Sequence, residues 1–256
     1  VGIISANKKL LIRKRPGKIK DLIKNLEDAP LAGISSCCGI SHTRWATHGI
    51  PNQTNAHPHT DCKGRIAVVH NGIIENYQSL KDRLIKDGHK FSSQTDTEVI
   101  AHLIEKYYRK NLETAVLKAV KELKGSFAIA VVSVDEPSKI VASRLFSPLI
   151  AAKGSKENFV ASDAAAILKH TREVIYLEDK ELAVLTPKEI KVFNYAGRLV
   201  PKKTSIIKWD SESAQKSGFP HFMLKEIFQQ PQVLSGIIAS TGVPCGRINL
   251  EGIDLI

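Results

Sequence analysis

The sequence has little that would place it in a membrane or outside the cell. None of its apolar runs approaches the ~20 residues a membrane helix needs, and no basic-then-apolar leader opens it. Cysteine is scarce: Cys37 and Cys38 are adjacent, Cys62 and Cys245 are scattered, and four so placed make no disulfide framework. These absences predict a cytoplasmic protein, and Asn52-Gln53-Thr54 then matches a glycosylation acceptor by chance. Aromatics make up only 6% of residues, and no helix-turn-helix or zinc-finger spacing appears. The net charge of +11 is carried by lysines that flank apolar runs all along the chain, as in "LLIRKRPGKIKDLIKNLED". Spread this way, the charge reads as a solvated surface and not as a nucleic-acid face. No internal repeat at a solenoid period is visible.

What is there suits a globular protein. The 256 residues are 43% hydrophobic and 25% charged, enough for one large domain or two small ones with a sizeable core. Alternation and β-branched content predict strands at about Val1–Ser5, Leu10–Lys14, Gly39–Thr43 and Arg65–His70. Helical spacing predicts Ile19–Leu26, then Glu75–Lys86 stopped by Gly88, then Thr95–Lys110. In the last of these, Thr95 and Glu98 have capping-box spacing. "LETAVLKAVKELKG" reads as a further helix closed by Gly125. From there the period changes to two through "FAIAVVSVD", "KIVASRL", "LIAAKG", "NFVASD", "EVIYLED", "ELAVLT" and "EIKVFNYAGRLV", interrupted by a helical "AAAILKHT". Strands and helices lie in blocks, which argues α+β with largely antiparallel sheets: two packed sheets covered by helices. A polar linker follows at 208–220, and "PHFMLKEIFQQPQVL" then reads as a short amphipathic helix within 221–256. "VGIISANKKLLIRK" reads as a strand pair already in progress, so we expect a chain entered midway.

The densest polar stretch is "SHTRWATHGIPNQTNAHPH", Ser41 to His59. His57-Pro58-His59-x-x-Cys62, with His48, could supply zinc ligands. Two prolines stiffen the loop, no finger spacing repeats and only Asp61 is a nearby carboxylate, so no metal is expected there. Cys38 stands close to these histidines and is a candidate nucleophile. It leads into the apolar strand "GISHT", where a buried, inert cysteine is the better reading.

"HTRWATHG", "NAHPH", "VVHNGIIENY" and "TDTEVIAHLI" occur in that order. They resemble the glutaminase domain of class II glutamine amidotransferases, over about Val1 to Leu234. "HFMLKEIFQQP" after the polar linker is similar to the connector of the amino-sugar-forming branch of that family. The resemblance implies the N-terminal nucleophile hydrolase fold, a four-layer αββα sandwich, here lacking its first strand segment. Residues 1–207 would be the glutaminase domain, and 221–256 the connector and the start of a sugar-phosphate isomerase domain. It implies L-glutamine as substrate, no metal and no organic cofactor, and a homodimer when complete. Ammonia from glutamine would pass to fructose 6-phosphate, giving glucosamine 6-phosphate and glutamate. In the family an N-terminal cysteine is the nucleophile and its own α-amine the base. Both titrate within reach of neutral pH, an α-amine near ~8 and a thiol near ~8.5.

By the same resemblance, Arg44 would bind the α-carboxylate of glutamine and Asp96 its α-ammonium group. Asn71 and Gly72 would form the oxyanion hole. Trp45, Thr47, His48 and Gly49 would shape the pocket, and His57 would sit on the loop that closes it. His42, His59 and His70 are left as structural. Without the resemblance, Asp96 reads as a helix-start aspartate and Asn71-Gly72 as a turn dipeptide. The family's opening Cys-Gly-Ile and "YRGYDS" are absent, so the nucleophile is expected before Val1. Cys38-Gly39-Ile40 imitates the opening but carries no free amine. Another class II amidotransferase, phosphoribosylamine-forming or asparagine-forming, stays open as an alternative. So does a non-catalytic glutamine-binding module.

Overall fold

Alternating apolar residues give each central strand two buried faces with different partners. In the computed structural model, residues 1–28, 36–44, 49–208 and 218–240 are described. The chain divides into two units, Val1–Lys208 and Trp209–Ile256. The first unit is built on a six-stranded antiparallel sheet. Its order is β12 (Ile190–Asn194), β11 (Glu181–Leu185), β7 (Ile140–Leu145), β6 (Gly125–Ser133), β5 (Ile66–Ile74) and β4 (His59–Thr60). Phe127, Ile129 and Val131 of β6 point to one side, with Ile66 and Val68 of β5 and Leu182 and Val184 of β11. There they bury against α2 (Tyr77–Lys86), α3 (Glu98–Tyr107) and α4 (Leu112–Val120).

The intervening residues, Ala128, Ala130 and Val132 of β6 among them, face a second layer of strands. That layer comes in two pieces. One is β2 (Leu10–Ile12), β1 (Gly2–Ser5) and β3 (Ser36–Ile40); the other is β13 (Ser205–Ile206), β10 (Glu173–Tyr176), β8 (Ile150–Lys153) and β9 (Asn158–Ala161). β3 and β9 are the edges of their pieces. Gly39 and Ile40 of the first and Val160 and Ala161 of the second line a cavity of about 550 Å³, floored by Val69, Ala128 and Ala130. Ile19, Leu22, Ile23 and Leu26 of α1 (Ile19–Asp28) line it too. On the far face of β8 and β10, Ile167, Leu168 and Ile207 close a further apolar cluster. No helix of the described residues is long and apolar enough to cross a membrane.

Several local expectations change. β3 lies at Ser36–Ile40 rather than 39–43, because it pairs with β1 and then leaves the sheet toward the site. The two-residue β4 carries no alternation and was not legible. Only Ala164–Ala166 of "AAAILKHT" is helical, a single 3-10 turn capped by Asp163. So short a segment cannot offset the cost of nucleating an α-helix, and Ile167 and Leu168 dock into the apolar cluster instead. Gly88 does close α2, with φ +92 and the His89 N–H reaching back to Leu84 O. Gly125, read as a helix stop, is the first residue of β6.

In the second unit α5 runs from Phe222 to Ser240, longer than expected, and continues through Pro231. Its first turn is held by the Leu224 N–H on His221 Nδ1, and Phe219 stacks on Phe228.

Candidate active site

The last residues of β5, the exit from β3 and the approach to α3 meet around a cavity of about 320 Å³. Its walls are His42, Thr43, Arg44, His57, His70, Asn71, Gly72, Ile73, Asp96 and Thr97. β5 supplies the floor because its pairing with β6 carries on to Ile74, so residues 70–73 arrive on a rigid ladder. α3 supplies the opposite wall from its N-terminal approach. Asp96 Oδ2 accepts the Ile74 N–H at 2.8 Å, tying the helix start to the end of β5. The other oxygen of this buried carboxylate has no hydrogen bond among the described residues.

The expected capping box does not form. Thr95 Oγ1 is engaged with His59 Nε2 at 3.1 Å and with Ser93 Oγ. Glu98 instead accepts the N–H and hydroxyl of Ser92 on Oε1, and those of Ser93 on Oε2, at 2.6–2.9 Å. The chain before α3 folds back over its first turn, so the carboxylate finds residues 92 and 93 sooner than the Thr95 N–H. Burial opposes ionisation of Glu98. The nearby His102 ring and the hydrogen bonds from Ser93 and Ser92 outweigh it and hold the carboxyl well below the usual range.

Three histidines form a stack, two of them, His42 and His57, in the cavity wall and His59 behind. His42 lies face to face on His57, centroids 4.2 Å apart, and His59 meets His57 edge-on at 5.0 Å. His57 Nδ1 accepts the His70 N–H, and Thr97 Oγ1 bridges His57 Nε2 (3.3 Å) and His70 Nδ1 (2.9 Å). Burial is the main reason these rings stay neutral; His59 is pushed down to about 3 and His70 to about 4. His57 is lowered furthest, with its histidine neighbours and Arg44 adding to burial. A neutral cluster leaves Arg44 and Asp96 as the charged groups of the wall.

Asn71 Oδ1 accepts from His42 Nε2 at 2.7 Å. This fixes the amide and leaves Nδ2 to donate elsewhere, with no acceptor among the described residues. Gly72 has φ +122, a backbone only glycine adopts readily. Arg44 donates to Gly49 O at 3.2 Å. Gly49 itself turns the chain at φ +77 and stands outside the cavity wall, against Asn55 and Gln94.

Arg44, His57, Asn71, Gly72 and Asp96 are thus brought together, while Trp45, Thr47 and His48 lie outside the described residues. His57 is 7% exposed and packed within the stack. His42 and His70, set aside as structural, line the cavity; His59 stands one ring behind it. Thr97 was missed because "TDTE" reads as a helix start. Asn55 was missed because nothing local marks it, though its side chain anchors the whole loop. Its Nδ2 donates to Ile50 O and Gln94 Oε1, and its Oδ1 accepts the Gln94 N–H, each at 3.0 Å. Asn55→Ala is expected to cost about 2–3 kcal/mol through the buried groups left unpaired, read as a lower urea midpoint. Cys38 donates to Pro137 O at 3.0 Å and packs with Ile4 and Ile40.

A sandwich of two antiparallel layers, with a polar cavity at a strand end, is the arrangement of N-terminal nucleophile hydrolases. Solved structures agree on the fold. Glutamine phosphoribosylpyrophosphate amidotransferase from B. subtilis superposes with a TM-score of 0.62 at 24% identity, covering 77% of this chain and 43% of its own. A glutamine aminotransferase class-II domain protein from Silicibacter pomeroyi gives 0.57 at 14% identity, covering 77% and 91%. The glutamine amidotransferase domain profile matches residues 42–169, and the chain belongs to that family. Among curated relatives, the glutamine–fructose-6-phosphate aminotransferase [isomerizing] of Aquifex aeolicus is 54% identical over 89% of this chain. That of Clostridium acetobutylicum is 44% identical over 96%. The chain spans about two-fifths of the length of these relatives, 38% and 40%.

Proposed function

We propose that the 320 Å³ cavity binds L-glutamine. In this reading the domain is the ammonia-donating glutaminase of an enzyme making glucosamine 6-phosphate and glutamate from fructose 6-phosphate and glutamine. The observation that carries the proposal is the pairing of charges across one small cavity. Arg44 offers a planar donor fork to an α-carboxylate, and the open oxygen of Asp96 faces an α-ammonium group. Asn71 Nδ2 and the Gly72 N–H stand where a side-chain carbonyl would develop negative charge. Each such donor contributes about 3 kcal/mol to the transition state. The names of the curated relatives support the choice of sugar phosphate acceptor.

The nucleophile in this reading is an N-terminal cysteine, with its α-amine as base, on an extended segment of the full-length polypeptide preceding Val1. The gap between the β3 and β9 edges supports this route. His42, Thr43, His70 and Asn71 line both the 550 Å³ gap and the glutamine cavity, so a strand laid in one delivers its end to the other. Attack of the thiolate on the amide carbonyl releases ammonia and leaves a thioester, which water hydrolyses to glutamate. The proton taken by the α-amine goes to the departing ammonia. Residues 208–220 link to a sugar-phosphate isomerase domain, and the complete enzyme works as a cytoplasmic homodimer.

Calorimetric titration with L-glutamine tests the binding half. Asp96→Asn keeps an acceptor for Ile74 but loses the charge, and is expected to weaken binding about 30-fold, roughly 2 kcal/mol. A chain that binds no glutamine sinks the proposal. Joining the family's cysteine-bearing opening to Val1, with the cysteine exposed, should give ammonia release. Binding without release in that protein would leave a glutamine-binding module instead.

A further inference from the structure

We infer that Cys62, His89, His102 and Glu105 form a preorganised tetrahedral zinc site on the helix side of the six-stranded sheet, separate from the glutamine cavity. The four residues come from three segments: the turn between β4 and β5, the loop after α2, and α3. Their donor atoms all lie within 4.8 Å of one another. Cys62 Sγ is 3.5 Å from His102 Nδ1 and 3.6 Å from His89 Nδ1. Glu105 Oε2 is 3.0 Å from His89 Nδ1 and 3.5 Å from His102 Nδ1. A zinc ion bonds thiolate at about 2.3 Å and imidazole or carboxylate at about 2.0–2.2 Å, so the edges of its tetrahedron are roughly 3.3–3.6 Å. Three of these four distances match those edges, the fourth is a few tenths of an ångström short, and the remaining two edges lie within 4.8 Å.

The donor set also balances charge. One thiolate and one carboxylate neutralise the dication, and two neutral imidazoles complete four ligands. Binding would release the thiol proton to solvent. Outer contacts hold the ligands in place. The Lys90 N–H points at Cys62 Sγ at 3.4 Å, and Asp61 Oδ1 accepts the Arg65 and Ile66 N–H groups, fixing the turn that presents Cys62. His102 turns its other nitrogen, Nε2, toward Glu98 Oε1 at 3.7 Å, and that nitrogen has no closer partner among the described residues. A carboxylate behind a ligating histidine is the usual support of a zinc ligand. His102 is buried and packed on Phe91, while Cys62 is at the surface and gives the ion a way in. These are not the ligands weighed from the sequence. His57 and His59 are engaged with Thr97 and Thr95, and Cys62 turns to histidines 27 and 40 residues away.

The ion would clamp three segments that meet at α3, whose approach carries Asp96. The test is to strip the whole chain with chelator and titrate it with Co²⁺ and Zn²⁺. One equivalent of Co²⁺ is expected to give intense tetrahedral visible bands and a thiolate-to-cobalt charge-transfer band. Cys62→Ser, a surface change that leaves the fold intact, should abolish the thiolate band. It should also weaken zinc by more than the roughly 10–100-fold that loss of an outer-shell partner costs. Zinc should raise the melting midpoint of the unaltered chain and leave that of Cys62→Ser unmoved. Weak octahedral bands, a thiolate band that survives Cys62→Ser, or an unchanged midpoint would each overturn the inference.

Discussion

Gly72→Ala is expected to abolish stable folding, with a loss above about 4 kcal/mol, the range reached only by backbone-level damage. At φ +122 a side chain is strained before any contact is counted. A Cβ built there lies 2.0 Å from Ser126 O and 2.7 Å from Ser126 C. Both are backbone atoms of β6, so relief requires opening the ladder where Gly72 pairs with Phe127. That ladder is the longest of the six-stranded sheet and the floor of the site. Gly64→Ala is the control: φ +63 with nothing within 4 Å, costing about 1–2 kcal/mol. Urea melts of the two variants decide it, and equal midpoints would refute the assignment of strain to Gly72. The requirement comes from architecture, so it would hold whether or not Gly72 also serves an oxyanion.

Acid is expected to destabilise the protein strongly before any carboxylate titrates. His57, His59 and His70 are buried and held neutral, the last two down to about 3 and about 4. Unfolded histidines take up protons near pH ~6.5. Below that pH the unfolded state binds protons that the folded state refuses, so stability falls as pH falls. The loss begins near 6.5 and continues toward the folded values of about 4 and about 3. Between pH ~7.5 and ~5.5 each ring costs about 1.4 kcal/mol, roughly 4 kcal/mol for the three. Glu98, whose folded carboxyl is lowered, adds its own loss as pH falls through the ordinary carboxylate range toward that lowered value. Urea melts across this range should show uptake of about three protons on unfolding near pH ~5.5. A stability that stays level down to pH ~5 would mean these rings are protonated in the folded state.

Much of the candidate site was legible because its residues cluster in short motifs. Arg44, Asn71, Gly72 and Asp96 are each set in a stretch of distinctive composition, and the fold brings those stretches to one cavity. The strand and helix blocks were legible because β6 and α4 carry clean periods of two and 3.6. What local pattern could not give was the partner of each polar group. Glu98 looks like half of a capping box until the preceding chain is seen to fold back onto it. Cys62 looks like a companion of His57 and His59, yet the turn held by Asp61 presents it to His89 and His102 instead. His42 looks structural, but its bond to Asn71 sets the direction of the amide. Each of these is a tertiary choice among local options of equal sequence quality.

The divided second layer has a consequence for the protein in concentrated solution. β3 and β9 each present a row of backbone N–H and C=O groups that no described strand pairs. Flat strand edges recruit extended chain from whatever source is at hand, including other copies of the same molecule. Two such edges lining one gap suit a strand that pairs with both. A peptide that settles between the two edges would act as a solubilising agent, quite apart from any chemistry at the cavity beside it.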